Sequence, residues 1–203
     1  MKIPHKQLEK VRKNPTDYRG ATFKLTHGFA AYPTASMLRC ALIDYHKTKS
    51  LSSTITYFES MFEKHRKPSR ANESIKSTFI SYLRDYDAAY ADEEVSTVKA
   101  FAKIYIPIED RIFITGEILR IDIVNDGGYS ACILEKNTSS WQKELRMPLL
   151  QDYLATELKC SQSDVMVGIY SLASGEHSYK RFTQSQIKNA YVEITSIARI
   201  LTQ

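Results

Sequence analysis

Hydrophobic residues recur at helical spacing through the first half of the chain, in segments separated by capping residues and short loops. The pattern predicts a short helix over 5–13, which ends before Pro15 because the residue preceding a proline disfavours the helical conformation. It then predicts helices over 35–47, from Ser52 or Ser53 onward, and over 73–90. Thr34 can cap the first of these three, and Ser52 or Ser53 the second.

The hydrophobic period changes from helical to alternating near residue 98. Segments 98–106, 112–124 and 129–136 alternate, and the sequence NDGG between the last two is typical of a hairpin turn. A helix over 141–158, a short apolar strand over 164–170, a small strand over 179–182 and a final helix over 184–201 follow. Since helices must cover the apolar faces of a sheet, this order predicts an α/β fold with a mixed central sheet and flanking helices.

Length and composition add limits to this prediction. A chain of 203 residues with 43% hydrophobic and 25% charged residues is typical of one globular domain over 1–203, mainly helical in 1–95 and sheet-based with two helices in 96–203. No apolar run is long enough to span a bilayer, and the first residues do not resemble a signal peptide. The three cysteines form no CxxC pair, so we expect a reducing, cytoplasmic location.

The charge is unevenly distributed. Residues 1–100 hold 17 Lys and Arg against 11 Asp and Glu, whereas residues 101–203 hold 11 against 12. Basic patches lie at 6–13 and 64–70, and such surfaces attract phosphate backbones. A solubilising surface is the alternative interpretation.

Several common kinds of site leave no trace in the sequence. The five histidines show no zinc-ligand spacing with each other or with cysteine. There is no GxSxG nucleophile motif, no GxGxxG and no GxxxxGK[ST] phosphate loop. The thirteen tyrosines, of which Tyr18, Tyr32 and Tyr57 lie in or near the basic half, could stack on bases or serve ordinary packing.

Four segments together resemble one enzyme superfamily. They are IPHKQLEKVRKNPTDY (3–18), GEILRID (116–122), ILEKNT (133–138) and ELRMPLLQDYLATEL (144–158). Their order and spacing resemble the RecB-like branch of the PD-(D/E)XK nucleases. The resemblance implies a restriction-endonuclease-like core, in the order α-β-β-β-α-β, with an N-terminal helical extension.

The resemblance also implies where a catalytic site should lie. In that family an acid on each strand of the hairpin binds Mg²⁺, which neutralises the scissile phosphate and supplies the attacking hydroxide. Only Lys136 keeps the family's residue type here. The family's helix His, its two acids and its Gln fall on residues that cannot replace them, namely Arg39, Leu119, Leu134 and Leu149.

Hairpin geometry allows two further expectations. A two-residue turn at Asp126-Gly127 places Leu119 opposite Leu134 and Glu117 opposite Lys136. The nearby acids Asp122 and Glu135 then lie roughly 13 Å apart, too far to share one metal ion.

A bulged turn is the alternative. It permits Glu117 and Glu135 as metal ligands, with Asn137 in place of the lysine.

The favoured hypothesis is a catalytically inactive nuclease-like protein without a metal or cofactor, which binds DNA or RNA or a partner enzyme as an accessory subunit. The basic residues expected to contact phosphates are Lys64, Arg66, Lys67, Arg70, Arg120, Lys136 and Arg146. The first alternative is an active Mg²⁺- or Mn²⁺-dependent DNA nuclease, whose catalytic residues would be Glu117, Asp122, Glu135 and Lys136. The second is a protein-docking module that binds no nucleic acid. The resemblance implies a setting in DNA repair, mobile elements or phage defence.

Overall fold

The computed structural model describes residues 1–22, 34–93, 95–125, 127–136 and 140–203. The chain divides into two compact units. The sheet unit comprises Met1–Lys24 and Val95–Gln203, and the helical unit comprises Leu25–Glu94. The N-terminal segment therefore belongs with the sheet rather than with the helices that follow it.

The described residues form six strands and six α-helices, which we number in chain order. The strands are β1 (Lys2–Pro4), β2 (Val95–Glu109), β3 (Ile112–Val124), β4 (Tyr129–Glu135), β5 (Val165–Ser171) and β6 (Glu176–Lys180). The helices are α1 (Leu8–Lys13), α2 (Thr34–Thr48), α3 (Leu51–His65), α4 (Arg70–Ala91), α5 (Arg146–Leu158) and α6 (Gln184–Thr202). None of the described helices is both long and apolar enough to cross a membrane.

The helical unit contains the three helices that the sequence predicts, with different first residues. Ser50 caps α3, because its hydroxyl accepts a hydrogen bond from the backbone N–H of Ser53, so the expected cap at Ser52 or Ser53 lies too late. Ser69 caps α4 in the same way through the N–H of Asn72. The helix therefore begins at Arg70, three residues earlier than predicted.

All six strands belong to one mixed sheet, so the prediction of an α/β fold with a mixed sheet and flanking helices is confirmed. β3 pairs antiparallel with β2 along one edge, and antiparallel with β4 on the other. β4 pairs parallel with β5, which pairs antiparallel with β6. The short strand β1 pairs parallel with residues 113–115 of β3.

The strand β2 is longer than the expected 98–106 and continues through Pro107. A proline cannot donate to a ladder and is tolerated on edge strands and at bulges. Both conditions fit here, because β2 pairs only with β3 among the described strands and its register shifts between Pro107 and Glu109.

Two apolar clusters fill the sheet unit where α5 and α6 cover the sheet. Alternating residues of β2 point into them, namely Ala102, Ile104 and Ile106. The expected helix over 141–158 is divided into a 3-10 turn, Trp141–Lys143, and α5. Pro148 lies in the first turn of α5, where its missing N–H has no helical partner to lose.

The β3–β4 hairpin differs from both sequence-based expectations. Val124 donates to the Gly128 carbonyl over 3.0 Å, so the loop has three residues, 125–127, and Gly127 adopts a φ of 84°. Asp126 lies outside the described residues. Arg120 consequently pairs with Cys132, and the predicted Leu119–Leu134 pair is wrong. The predicted Glu117–Lys136 pair and the bulged alternative fail for the same reason.

Candidate functional site

The candidate site lies at a fork in the sheet, where two strands share one edge of β3. The β1 ladder ends at Thr115 and the β4 ladder ends at Arg120, so residues 116–119 of β3 lie between the two. The chain turns directly from β1 into a 3-10 segment, His5–Gln7, which brings its side chains to this gap. The fork cluster, as we call it, consists of His5, Gly116, Glu135, Glu144 and Arg146.

The imidazole of His5 packs directly on the backbone of Gly116. A Cβ atom built on Gly116 would lie 2.0 Å from Cδ2 of His5 and 2.8 Å from Nε2. Such distances exclude any side chain, so the fork accommodates the buried His5 ring only because residue 116 is glycine.

Arg146 joins the members of the fork cluster to one another. Its guanidinium donates to Nδ1 of His5 over 2.8 Å and to Oε1 of Glu135 over 2.9 Å. Its Nε donates to Oε2 of Glu144 over 2.5 Å. The Arg146 side chain is only 6% exposed, so this positive charge is held inside the protein between two carboxylates.

The contacts also determine the protonation of His5. Arginine only donates hydrogen bonds, so Nδ1 of His5 must accept and the ring proton must lie on Nε2. Burial, followed by the positive charges of Arg146 and Lys6, lowers the pKa of His5 to about 3. The ring is therefore neutral at physiological pH.

Glu144 of the fork cluster lies next to Glu9 of α1. Burial raises the pKa of Glu144, and Arg146 opposes this shift, whereas the charges of Glu135 and Glu9 reinforce it. Glu9 accepts a hydrogen bond from the backbone N–H of Leu145 over 2.7 Å. Through this bond α1 fixes the residue immediately before α5, and thereby the position of Arg146.

The acid Asp122 lies elsewhere, in a buried pair with Arg120. The Arg120 Nε and Asp122 Oδ2 atoms are 3.1 Å apart, both side chains are 0% exposed, and the Thr97 hydroxyl donates to Oδ1 over 2.7 Å. Asp122 pairs across the hairpin with Ser130. Glu135 is five residues beyond Ser130 on β4, so alternation directs it to the opposite face.

Two half-buried residues of β6, His177 and Tyr179, lie next to this pair. Arg120 donates to the hydroxyl of Tyr179 over 3.1 Å, and the ring of His177 stacks on Tyr179 with 7° between the planes. Burial, assisted by the charge of Arg120, lowers the pKa of His177 to about 3. Burial also raises the pKa of Tyr179.

The acids predicted for the active alternative do not converge. Glu135 binds Arg146, Asp122 binds Arg120, and Glu117 lies opposite Lys103 in the β2–β3 ladder. Within the part of the chain that the structure describes, no three His, Cys, Asp or Glu residues are grouped so that they could hold a metal ion. These residues therefore do not fit the Mg²⁺ or Mn²⁺ that the nuclease resemblance implies. Asn137 lies outside the described residues.

The nuclease resemblance aligns four residues of this chain with catalytic positions, and all four are buried or half-buried. Leu119 and Leu149 are buried in the sheet unit, and Leu134 is half-buried opposite Tyr170 of β5. Arg39 is half-buried in α2. The aliphatic residues at these positions contribute packing, which the sequence suggested, although their neighbours are different.

The predicted phosphate-binding residues fall into two groups. Lys64, Lys67, Arg70 and Lys136 are exposed, and Arg66 is half-buried with a hydrogen bond to the Thr34 hydroxyl. Arg120 and Arg146 are buried in ion pairs, so they cannot reach a phosphate from where they lie. The expectation for these two arginines is corrected accordingly.

The N-terminal segment has a basic surface, and the sequence predicts only that its residues 6–13 form a basic patch. Residues 1–24 hold seven Lys and Arg against two Asp and Glu, and this excess of five equals the net charge of the chain. His5, Leu8 and Val11 are buried along one side of the helical turns. The exposed lysines of the other side form what we call the lysine row, namely Lys6, Lys10 and Lys13.

The lysine row begins beside the fork cluster. Lys6 donates to the backbone carbonyl of Leu134 over 3.3 Å. Lys136, two residues further along, is exposed. Lysines from two separate segments of the chain therefore lie near the fork.

Comparison with known proteins adds little to this description. No family model matches the chain, and no curated protein matches it. A solved structure described as "Crystal structure of SSO0001" resembles it with a TM-score of 0.34 and 11% identity, over 95% of this chain and 85% of that one. A likeness of this size does not assign the chain to a family.

Proposed function

We propose that this chain is a nuclease-like protein that binds nucleic acid without cleaving it, and that it acts as an accessory subunit. The observation that carries the proposal is the position of Arg146, whose guanidinium lies between Glu135 and Glu144 at the fork. A built-in cation there neutralises the acids that a divalent ion would otherwise need as ligands. The resemblance to the RecB-like nucleases is part of this proposal.

The surface around the fork supports the binding half of the proposal. The lysine row and Lys136 place exposed ammonium groups where the sheet edge opens. Lysine side chains on one face of a helix suit the phosphate backbone, because they follow its charge without needing a base sequence. In the helical unit, Lys64, Lys67 and Arg70 offer a second set of exposed charges.

Binding can be tested by fluorescence anisotropy with labelled single-stranded and duplex DNA. We expect binding that weakens steeply between about 50 and 200 mM salt, since contacts to phosphates release counterions. EDTA should leave the affinity unchanged, and no cleavage should appear with Mg²⁺ or Mn²⁺. Binding that is insensitive to salt, or no binding at the low end of this range, would contradict the proposal.

The lysine row supplies a test variant, and α6 supplies its control. Replacing both Lys10 and Lys13 by alanine should weaken binding several-fold and make its salt dependence shallower by about two counterions. Lys188→Ala, which removes an exposed lysine from α6, should leave both unchanged. Divalent-dependent cleavage that Glu135→Gln abolishes would instead establish the active-nuclease alternative.

A further inference from the structure

The outer face of the β1–β3–β2 part of the sheet carries an aromatic pair, the exposed Tyr105 and the half-buried Phe113. Along β2, Lys103, Tyr105 and Pro107 are exposed and alternate with the buried core residues. Tyr105 is 45% exposed. This part of the sheet therefore has one face packed in the core and one face that presents side chains to solvent.

The two rings of the pair are already stacked. The centroids of Tyr105 and Phe113 lie 4.4 Å apart, with 23° between the planes. Phe113 is half-buried, because it lies between Pro107 of β2 and Lys2 of β1 in the two ladders. The more exposed Tyr105 ring is thus held by neighbours on adjacent strands and is ordered before any ligand arrives.

Positive charges lie on both sides of the pair. The Nζ atom of Lys2 is 5.8 Å from the Tyr105 centroid, and Lys103 is exposed two residues before Tyr105 on the same side of β2. Glu117 lies opposite Lys103 and offsets part of its charge. The net arrangement is a flat, apolar ring surface between two lysines.

We propose that Tyr105, supported by Phe113, is a stacking platform for an unpaired base of single-stranded nucleic acid, with Lys2 and Lys103 on the adjoining phosphates. An aromatic ring beside ammonium groups matches both parts of a nucleotide, whereas a duplex hides the faces of its bases. This inference rests on the proposed function and specifies its ligand as single-stranded.

The test compares Tyr105→Ala with Tyr105→Phe, which keeps the ring. With a single-stranded oligonucleotide, Tyr105→Ala should bind about five- to a hundredfold more weakly than the wild-type chain, and Tyr105→Phe should bind almost equally well. Duplex affinity should not change in either variant. A 2-aminopurine base in the oligonucleotide should lose fluorescence on binding to the ring-containing proteins and keep it with Tyr105→Ala.

The outcomes separate this inference from the proposed function. If the wild-type chain binds no nucleic acid, the proposed function fails and the platform with it. If the wild-type chain binds but Tyr105→Ala holds the single strand equally well, only the platform is contradicted. If Tyr105→Ala changes the oligomeric state instead of the affinity, the ring contacts a second copy and the inference is wrong. Urea unfolding midpoints of the three proteins show whether each is folded.

Discussion

Arg146 donates a hydrogen bond to Nδ1 of His5 across 2.8 Å, although 141 residues separate them in the chain. Both side chains are buried. The bond ties the N-terminal segment to the start of α5, and a loss of either partner leaves a buried polar group unsatisfied. The fork cluster is therefore a structural element as well as a candidate site, and its variants should change stability.

Replacement of Arg146 by methionine tests the built-in cation. The variant removes the charge that lies between Glu135 and Glu144, so we expect the free energy of unfolding to fall by about 2–4 kcal/mol. The loss of stability should not reach the largest values known for fully buried ion pairs, because the side chains of the two acids are 22% and 21% exposed. Urea unfolding measures the change. Arg146→Lys keeps the positive charge but not the several N–H donors of the guanidinium, so its free energy of unfolding should fall less. An unchanged urea midpoint for Arg146→Met would show that Arg146 does not hold the fork cluster together.

Replacement of Gly116 by alanine tests the packing of His5. The new Cβ would overlap the imidazole ring and force it away from Arg146, so we expect a loss of about 1–3 kcal/mol in the free energy of unfolding. In a His5→Ala background the ring is gone, and the same substitution should cost much less. This double-mutant cycle measures the coupling directly. Equal costs in both backgrounds would show that the ring and Gly116 are not in contact.

Acid should destabilise the protein through two histidines, the buried His5 and the half-buried His177. The pKa of His5 and of His177 is about 3 in the folded chain, below the ordinary 6.5. Between these values the unfolded chain binds protons that the folded chain does not, so the free energy of unfolding falls as the pH falls from 6.5 toward 3. Each histidine contributes at most about 1.4 kcal/mol per pH unit.

Urea unfolding at several pH values measures this dependence. His177→Phe should make it shallower, because the phenyl ring has no proton to gain. Asn189→Ala changes an exposed residue of α6 that has no proton to gain, and it should leave the pH dependence unchanged. Stability that is constant between pH 7 and 4 would contradict the assignment of both rings.

Asp122→Asn tests whether Asp122 has a structural role or takes part in binding nucleic acid. The variant leaves the charge of the buried Arg120 uncompensated, and we expect it to lower the free energy of unfolding by about 3 kcal/mol or more. Thr97→Val, which removes only the hydroxyl that donates to Asp122, should cost about 1 kcal/mol. Nucleic-acid affinity of the folded variants should not change. A stable Asp122→Asn protein with altered binding would place Asp122 at the surface site instead.

The elements with long, regular hydrophobic periods could be predicted from the sequence. The bounds of β3 and the first residue of α6 agree with the prediction, because thirteen and nineteen residues average over local irregularities. β1 was missed. It has only three residues and owes its existence to a ladder with residues 113–115, which no local pattern can reveal.

The hairpin register shows that a single residue in a loop can make the predicted residue pairs of a site wrong. One extra loop residue, accommodated by the positive φ of Gly127, changes the partner of every residue in the hairpin. The acids Asp122 and Glu135 were identified in the sequence, but their arginine partners were not. Glu135 meets Arg146 only after α5 packs on the sheet, and sequence spacing carries no information about that contact.

The ladder between β1 and β3 also protects the edge of the sheet. Three residues, Lys2–Pro4, cover the backbone of β3 at 113–115, where Ile114 alternates with the outward Phe113. If so short a strand detaches, unpaired N–H and carbonyl groups of a long β-branched strand become available to any other extended chain. Shielding against self-aggregation therefore depends on the pairing of Lys2–Pro4 with β3, and substitutions that weaken this ladder would be expected to lower solubility before they affect the core.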